Sequence, residues 1–85
     1  MTLEDLVSKY INGTEHVFAQ LEVIQASTPA DKERINGIVE HAKRYLEDAK
    51  YYERKNRLET SLASIAYCEG LLDALRLLGV VEFSW

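Results

Sequence analysis

Apolar side chains recur along the chain at alternating steps of three and four residues, the spacing that keeps them on one side of an α-helix. The first such stripe runs through Leu3, Val7, Tyr10, Thr14, Val17, Leu21 and Ile24. It predicts a helix over residues 2–26, with Thr2 as the N-cap. Because the stripe stays in phase across Asn12 and Gly13, we expect a kink there at most.

A second stripe follows a helix-start signal, in which Thr28 is the N-cap, Pro29 the first helical residue and Asp31 the acid three residues after the cap. This pattern predicts a helix over residues 29–54. Its apolar positions are Ile35, Ile38, Ala42, Tyr45, Ala49 and Tyr52. Asn56 suits a left-handed C-cap at the end of this helix.

The third predicted helix, residues 57–78, ends at Gly79 and has apolar residues on two neighbouring faces. One face is formed by Leu58, Ser61, Ile65, Cys68, Leu72 and Leu75, and the second by Ala63, Tyr67, Gly70, Ala74 and Leu77. Ala66, Gly70 and Ala74 are small residues four apart, a spacing that lets another helix approach closely. It favours tight core packing, with a dimer motif as the alternative.

Three helices of similar length joined by short connections predict antiparallel neighbours. We therefore predict one all-α domain over residues 1–85, a three-helix antiparallel up-down-up bundle. Its third helix contacts both others, and a short apolar tail over residues 80–85 folds back or meets a partner. An uncovered patch formed by Leu71, Leu77, Leu78, Val80, Val81 and Trp85 favours self-association or a protein partner.

Charge and composition exclude several classes of protein. The chain has 85 residues, 10 basic and 14 acidic side chains, and a net charge of −4. It lacks the basic surplus of a nucleic-acid-binding protein, so we predict no DNA ligand. No apolar run is long enough for a membrane span. The acidic start lacks the features of a signal peptide and Cys68 is the only cysteine, so we expect a reducing cytoplasm.

One group of polar residues interrupts the third helix. Glu69 and Asp73 lie one turn apart, and Arg76 follows three residues later. In an otherwise apolar helix, charged groups are tolerated when they are paired or exposed. The group is therefore an internal ion pair, an exposed edge of the bundle, or a polar pocket that fixes a ligand or a cation.

Catalytic chemistry has no comparable support. Cys68 lacks flanking cations that would lower its pKa, and its pattern indicates a core residue. His16 and His41 are expected at the surface, and neither belongs to a Glu-x-x-His metal motif. No glycine-rich phosphate loop occurs. We predict no catalytic residue, no metal site and no cofactor.

Two segments, Tyr45–Tyr52 and Ala63–Ala74, carry a resemblance to a known family. Over residues 40–79 the chain resembles a small archaeal family known as domain of unknown function 357. The matching positions include Tyr67, Gly70, Leu72, Asp73 and Gly79, whereas Asn56, Arg57 and Glu69 depart from the usual pattern. The resemblance implies an archaeal cytoplasmic helical domain. Some members are joined to a cytidylyltransferase-like domain, which implies an accessory role.

Together these observations predict a non-catalytic helical module that binds a protein partner or a second copy of itself. It would act through the third helix and the tail. The alternative is an accessory ligand-binding domain of a nucleotidyltransferase-like enzyme, with a nucleotide as one ligand to test. The candidate binding residues are Tyr52, Tyr67, Glu69, Asp73, Arg76, Leu77 and Trp85.

Overall fold

Three α-helices and two short strands make up the fold in the computed structural model, which describes residues 1–85. In chain order the elements are α1 (Leu3–Gln20), β1 (Glu22–Val23), α2 (Pro29–Arg54), α3 (Leu58–Leu77) and β2 (Val81–Glu82). The helices pack into an elongated body of 43 × 20 × 17 Å, which confirms the predicted all-α three-helix bundle. None of them combines the length and the apolar content needed to cross a lipid bilayer.

Side-chain caps set the start of the first two helices. The Thr2 hydroxyl accepts a hydrogen bond from the Asp5 amide at 3.1 Å, and the Asp5 carboxylate accepts one from the Thr2 amide at 3.3 Å. This reciprocal capping box satisfies two backbone donors that the helix leaves free. Thr28 caps α2 in the same way through the Asp31 amide at 3.1 Å. Both predicted N-caps are confirmed, and α2 has its predicted bounds.

Contacts between helix ends show that neighbours along the chain are antiparallel. The Ser8 hydroxyl near the start of α1 donates to Glu53 near the end of α2 at 2.8 Å. The Ser61 hydroxyl in the first turns of α3 donates to the Ala49 carbonyl of α2 at 2.6 Å. The α2–α3 turn is tight because Asn56 adopts the left-handed conformation with φ 57°, as predicted.

The first helix ends six residues earlier than its apolar stripe predicts. It ends at Gln20, and the backbone becomes extended at Leu21 with φ −61° and ψ 132°. Val23 and Val81 pair across an antiparallel two-stranded ladder between β1 and β2. The Gln20 side chain also binds the tail, donating to the Ser84 carbonyl at 2.6 Å and accepting from the Ser84 amide at 3.2 Å. These partners are distant in sequence, which is why local periodicity missed the strand.

The core confirms one predicted face of α3 and contradicts the other. The buried residues of the main core are Val7, Ile11, Val17, Ala42, Leu46, Ala49, Ile65, Cys68 and Leu72. The second face of α3, by contrast, is exposed throughout, including Gly70 and Ala74. Ala66 is also exposed, so the small residues do not pack in the core of this chain. The prediction of tight core packing at these positions is wrong because α1 and α2 pack against other faces of α3 and leave this one uncovered.

The tail folds back against the bundle, which is one of the two outcomes that the sequence predicts. Val81 is buried with Ile35 and Leu75 in a second, smaller core cluster. Leu77 and Leu78 remain 73% exposed, and Trp85 is 51% exposed. The predicted apolar patch is therefore smaller than expected, because β2 buries Val81 and partly covers its neighbours.

Candidate functional site

A cleft between α1 and α3 contains the strongest candidate for a binding site. It has a volume of about 350 Å³. Its lining residues, which define the α1–α3 cleft, are Lys9, Tyr10, Gly13, Thr14, Glu69 and Trp85. Two shallower depressions adjoin it, and Glu69 lines all three. One depression is apolar, between Leu6 and Leu62, and the other contains Asp73 and Arg76.

Thr14 is the unusual residue of this cleft. It occupies a core position of α1 and is only 1% exposed. Its hydroxyl is the buried side-chain polar atom without a hydrogen-bond partner. A buried hydroxyl in this state costs about 1–3 kcal/mol, since it has lost water and gained nothing in return. The sequence placed Thr14 in the apolar stripe but gave no reason to single it out.

Glu69 supplies the charge of the cleft. It is half-buried on α3 and makes none of the ion pairs of the structure. Burial raises the pKa of its carboxyl above the ordinary value, because desolvation disfavours the ionised form. A group that can bring positive charge or hydrogen-bond donors to this carboxylate would remove that penalty.

Asp73 and Arg76 form a separate ion pair on the rim. Arg76 donates two hydrogen bonds to Asp73 Oδ1, at 3.0 Å from Nε and 2.7 Å from Nη2. These hydrogen bonds hold the pKa of the Asp73 carboxyl below its usual value. Trp85 lies against the same depression, and its ring packs edge-to-face on Phe83 at 5.1 Å. The three charged residues that the sequence groups together are thus divided. Asp73 and Arg76 form an exposed ion pair, and Glu69 is unpaired.

Tyr67 lies on the other side of α3, facing α2. Its ring centroid is 4.4 Å from that of Tyr45 and 6.3 Å from that of His41. Tyr52 is at the α2–α3 turn, where its ring packs against Tyr51 at 5.2 Å. Neither Tyr67 nor Tyr52 lines the α1–α3 cleft. The prediction that Tyr52, Tyr67, Glu69, Asp73 and Arg76 line one pocket is therefore wrong.

Leu77 belongs to a different surface, which we call the outer face of α3. Its residues are Ala63, Ala66, Gly70, Ala74 and Leu77, all exposed. None of these five residues is charged, since Glu69 and Asp73, the charged residues of α3 between Glu59 and Arg76, are not among them. The exposed positions of α2 instead include several charged residues, among them Lys32, Glu33, Arg34, Glu40, Lys43, Arg44, Glu47 and Asp48.

The remaining reactive groups of the chain are not arranged as a reaction centre. Cys68 is fully buried, and desolvation, together with the nearby Glu69 charge, raises the pKa of its thiol to about 12. No group of three or more His, Cys, Asp or Glu side chains lies close enough to hold a metal ion. His16 and His41 are exposed, as predicted.

Comparison with known proteins assigns the family but gives no activity. No curated protein and no solved structure shows significant similarity to the chain. The model of the family described as "Protein of unknown function (DUF357)" matches residues 9–81. The match extends the resemblance from α2 and α3 into α1, which supplies one wall of the cleft. This chain therefore belongs to the DUF357 family.

Proposed function

We propose that this protein is a non-catalytic helical interaction module that pairs with a second copy of itself through the outer face of α3. The observation that carries the proposal is the outer face of α3, whose five residues are all exposed and uncharged. An exposed row of small and apolar side chains on a helix is a surface that a partner can cover. The outer face of α3 is open in the single chain, so the second copy would supply its cover.

Gly70 supports contact with a surface outside the chain. A Cβ added at Gly70 meets no atom within 4 Å, and Gly79 is the glycine with a positive φ. The same open space surrounds Gly13 and Gly37, so the fold itself needs glycine at none of these three helix positions, and Gly70 is the one that lies on the outer face of α3. In the middle of a helix glycine costs about 1 kcal/mol relative to alanine. Close approach of another helix would explain why this cost is tolerated.

The charges at the two ends of α3 favour a second copy in the antiparallel orientation. Glu59 lies in the first turn and Arg76 in the last turn of the helix. A two-fold axis between Ala66 and Gly70 would place Glu59 of one copy near Arg76 of the other. The antiparallel arrangement also opposes the two helix dipoles. Leu77, at the end of the outer face, would then cover the first turns of α3 of the second copy.

Sedimentation velocity on a dilution series tests this proposal. We expect the wild-type chain to sediment as a dimer, and Gly70→Leu to sediment as a monomer because its side chain separates the helices. Gly37→Leu is the matched control, since Gly37 is exposed on α2 and also has open space around it. A monomeric wild type at millimolar concentration, or a Gly70→Leu variant that dimerises as the wild type does, would refute the proposal.

A second candidate function is an accessory domain that presents the α1–α3 cleft to a small ligand of a nucleotidyltransferase-like enzyme. The observation in its favour is the buried, unpaired Thr14 hydroxyl beside Glu69. An amide NMR titration with nucleoside triphosphates and Mg²⁺ tests the nucleotide version. Saturable shifts from Glu69 to Arg76 would support it, and a silent titration would exclude nucleotides as the ligand.

For the setting of either function, a reducing cytoplasm stays our expectation. The free, buried Cys68 thiol is compatible with it. An archaeal source stays an implication of the family resemblance.

A further inference from the structure

The α1–α3 cleft contains two polar groups that lack the hydrogen-bond or ion-pair partners which buried polar groups normally have. The Thr14 hydroxyl is buried without a hydrogen-bond partner. Glu69 is half-buried without an ion pair. The carboxylate accepts hydrogen bonds only, whereas the hydroxyl can donate one and accept others. A donor that carries positive charge could bind both oxygen atoms and would offset the desolvation of the carboxylate.

Two aromatic residues border the same cleft. Tyr10 comes from α1, and Trp85 lies at the far end of the tail beside α3. Trp85 is held by the edge-to-face contact with Phe83 and by the hydrogen bonds between Gln20 and the Ser84 backbone. Aromatic faces attract organic cations through the ring quadrupole, and the attraction increases when the cation is partly removed from water.

We propose that the α1–α3 cleft binds a protonated organic amine, with its ammonium group bound by Glu69 and Thr14 and its alkyl chain against Tyr10 and Trp85. The ammonium donates to the Glu69 carboxylate and the Thr14 hydroxyl oxygen. A volume of about 350 Å³ admits an aliphatic amine of several carbons. This inference deepens the second candidate function by naming the ligand class, and it is independent of pairing through the outer face of α3.

The difference in burial between the two charges of the cleft, with Glu69 half-buried and Lys9 exposed, favours an ammonium group over a phosphate or a metal ion. Glu69 is the one carboxylate that lines the cleft, and Lys9 is the one basic residue. A phosphate would be repelled by Glu69, and a metal ion would lack further protein ligands. Lys9 is exposed and makes no ion pair, so its own ammonium does not fill the place that the ligand would take.

Two sources could supply the same ammonium chemistry, a free aliphatic diamine or the lysine side chain of another protein. The probes are therefore 1,4-diaminobutane and N-acetyl-lysine methylamide, with 1-butanol as an uncharged control. Trp85 is the only tryptophan in the chain, so its fluorescence and its indole N–H resonance report on this cleft and on the adjoining depression at Asp73 and Arg76. Tighter binding of the diamine would indicate a free amine, and tighter binding of the lysine derivative would indicate a protein side chain.

Matched variants distinguish a built site from general attraction of cations to an acidic protein. We expect Glu69→Gln to weaken amine binding about tenfold or more, because a charged hydrogen bond is lost. Thr14→Val is expected to weaken it several-fold. Asp48→Asn is the control, since Asp48 is an exposed carboxylate on α2 that does not line the cleft. We expect this control to change the affinity less than twofold.

Three outcomes would overturn the inference. The first is the absence of saturable binding for both amines at tens of millimolar. The second is an equal response to 1-butanol, which would show an apolar depression without a cation site. The third is an equal loss in Glu69→Gln and Asp48→Asn, which would show charge attraction without a specific carboxylate. The dimer proposal is tested separately, because its measurement is the mass of the protein in solution and not the binding of an amine.

Discussion

Thr14→Val is the most informative single substitution in this chain because it should make the protein more stable. Valine and threonine have nearly the same shape, and both are β-branched, so the side chain keeps its restricted χ1. Their helix propensities are also similar. The substitution therefore replaces one buried, unpaired hydroxyl with a methyl group and changes little else.

The expected gain follows from the burial of Thr14, which is 1% exposed. An unsatisfied buried hydroxyl costs about 1–3 kcal/mol. Removing the hydroxyl should therefore raise the free energy of unfolding by about 1–2 kcal/mol, within that range. For a domain of this size, each kcal/mol corresponds to about 4–8 °C in Tm.

Urea and thermal unfolding followed by circular dichroism at 222 nm measure this effect at one fixed protein concentration. Ser61→Ala is the control, because the Ser61 hydroxyl is equally buried but donates to the Ala49 carbonyl at 2.6 Å. We expect the control to lose about 1 kcal/mol. A Thr14→Val variant that loses stability as Ser61→Ala does would refute the reasoning, since it would show that the Thr14 hydroxyl is satisfied.

The other predictions concern one backbone position, one thiol and one carboxyl. Gly79→Ala should lower the free energy of unfolding by about 1 kcal/mol or more, because φ is +76° at this residue and a side chain is strained in that conformation. An unchanged free energy of unfolding in a denaturant titration would contradict this. Cys68, with its thiol pKa raised to about 12 by burial, should resist iodoacetamide at pH 8 until urea unfolds the chain, and rapid alkylation of the native protein would count against its burial. Glu69→Gln should be more stable than wild type at pH 7, because the raised pKa of Glu69 means that ionisation destabilises the folded state. This advantage should shrink as the pH falls through 4.5, the ordinary value for that carboxyl, and urea titrations at pH 7 and pH 4 check the sign.

The stability predictions bear directly on function. If Thr14→Val and Glu69→Gln both stabilise the chain, then a loss of amine binding in these variants is not a loss of folding. A gain in stability together with a loss of amine binding would identify both residues as parts of a binding site that lowers the stability of the fold. A structural role for either residue would move both measurements in the same direction.

Sequence patterns were reliable wherever the controlling interaction is local. Thr2 and Thr28 bind backbone amides three residues away, so their capping roles can be recognised from the residues themselves. Asn56 adopts the left-handed conformation at the turn, for which asparagine is one of the few suitable residues. The same holds for the buried face of α3, whose spacing follows helix geometry.

Patterns failed where the partner is distant in the chain. Leu21 fits the apolar stripe of α1, yet Val23 pairs with Val81, and this pairing ends the helix at Gln20. The small residues of α3 were assigned to the core because spacing describes the faces of a helix without saying which face has a neighbour. Tyr67 and Glu69 were placed together although α2 and α1 pack on different sides of α3.

The sequence by itself determined the number of helices, the start of each, the turns between α2 and α3 and after α3, and the family. These properties depend on backbone capping, φ preferences and periodicity, which act over a few residues. Only the tertiary structure decided that Thr14 lies beside Glu69 in one cleft and that the outer face of α3 is uncovered. Both facts depend on how each helix is rotated about its axis, which is set by the packing of all three helices together and by the pairing of β1 with β2.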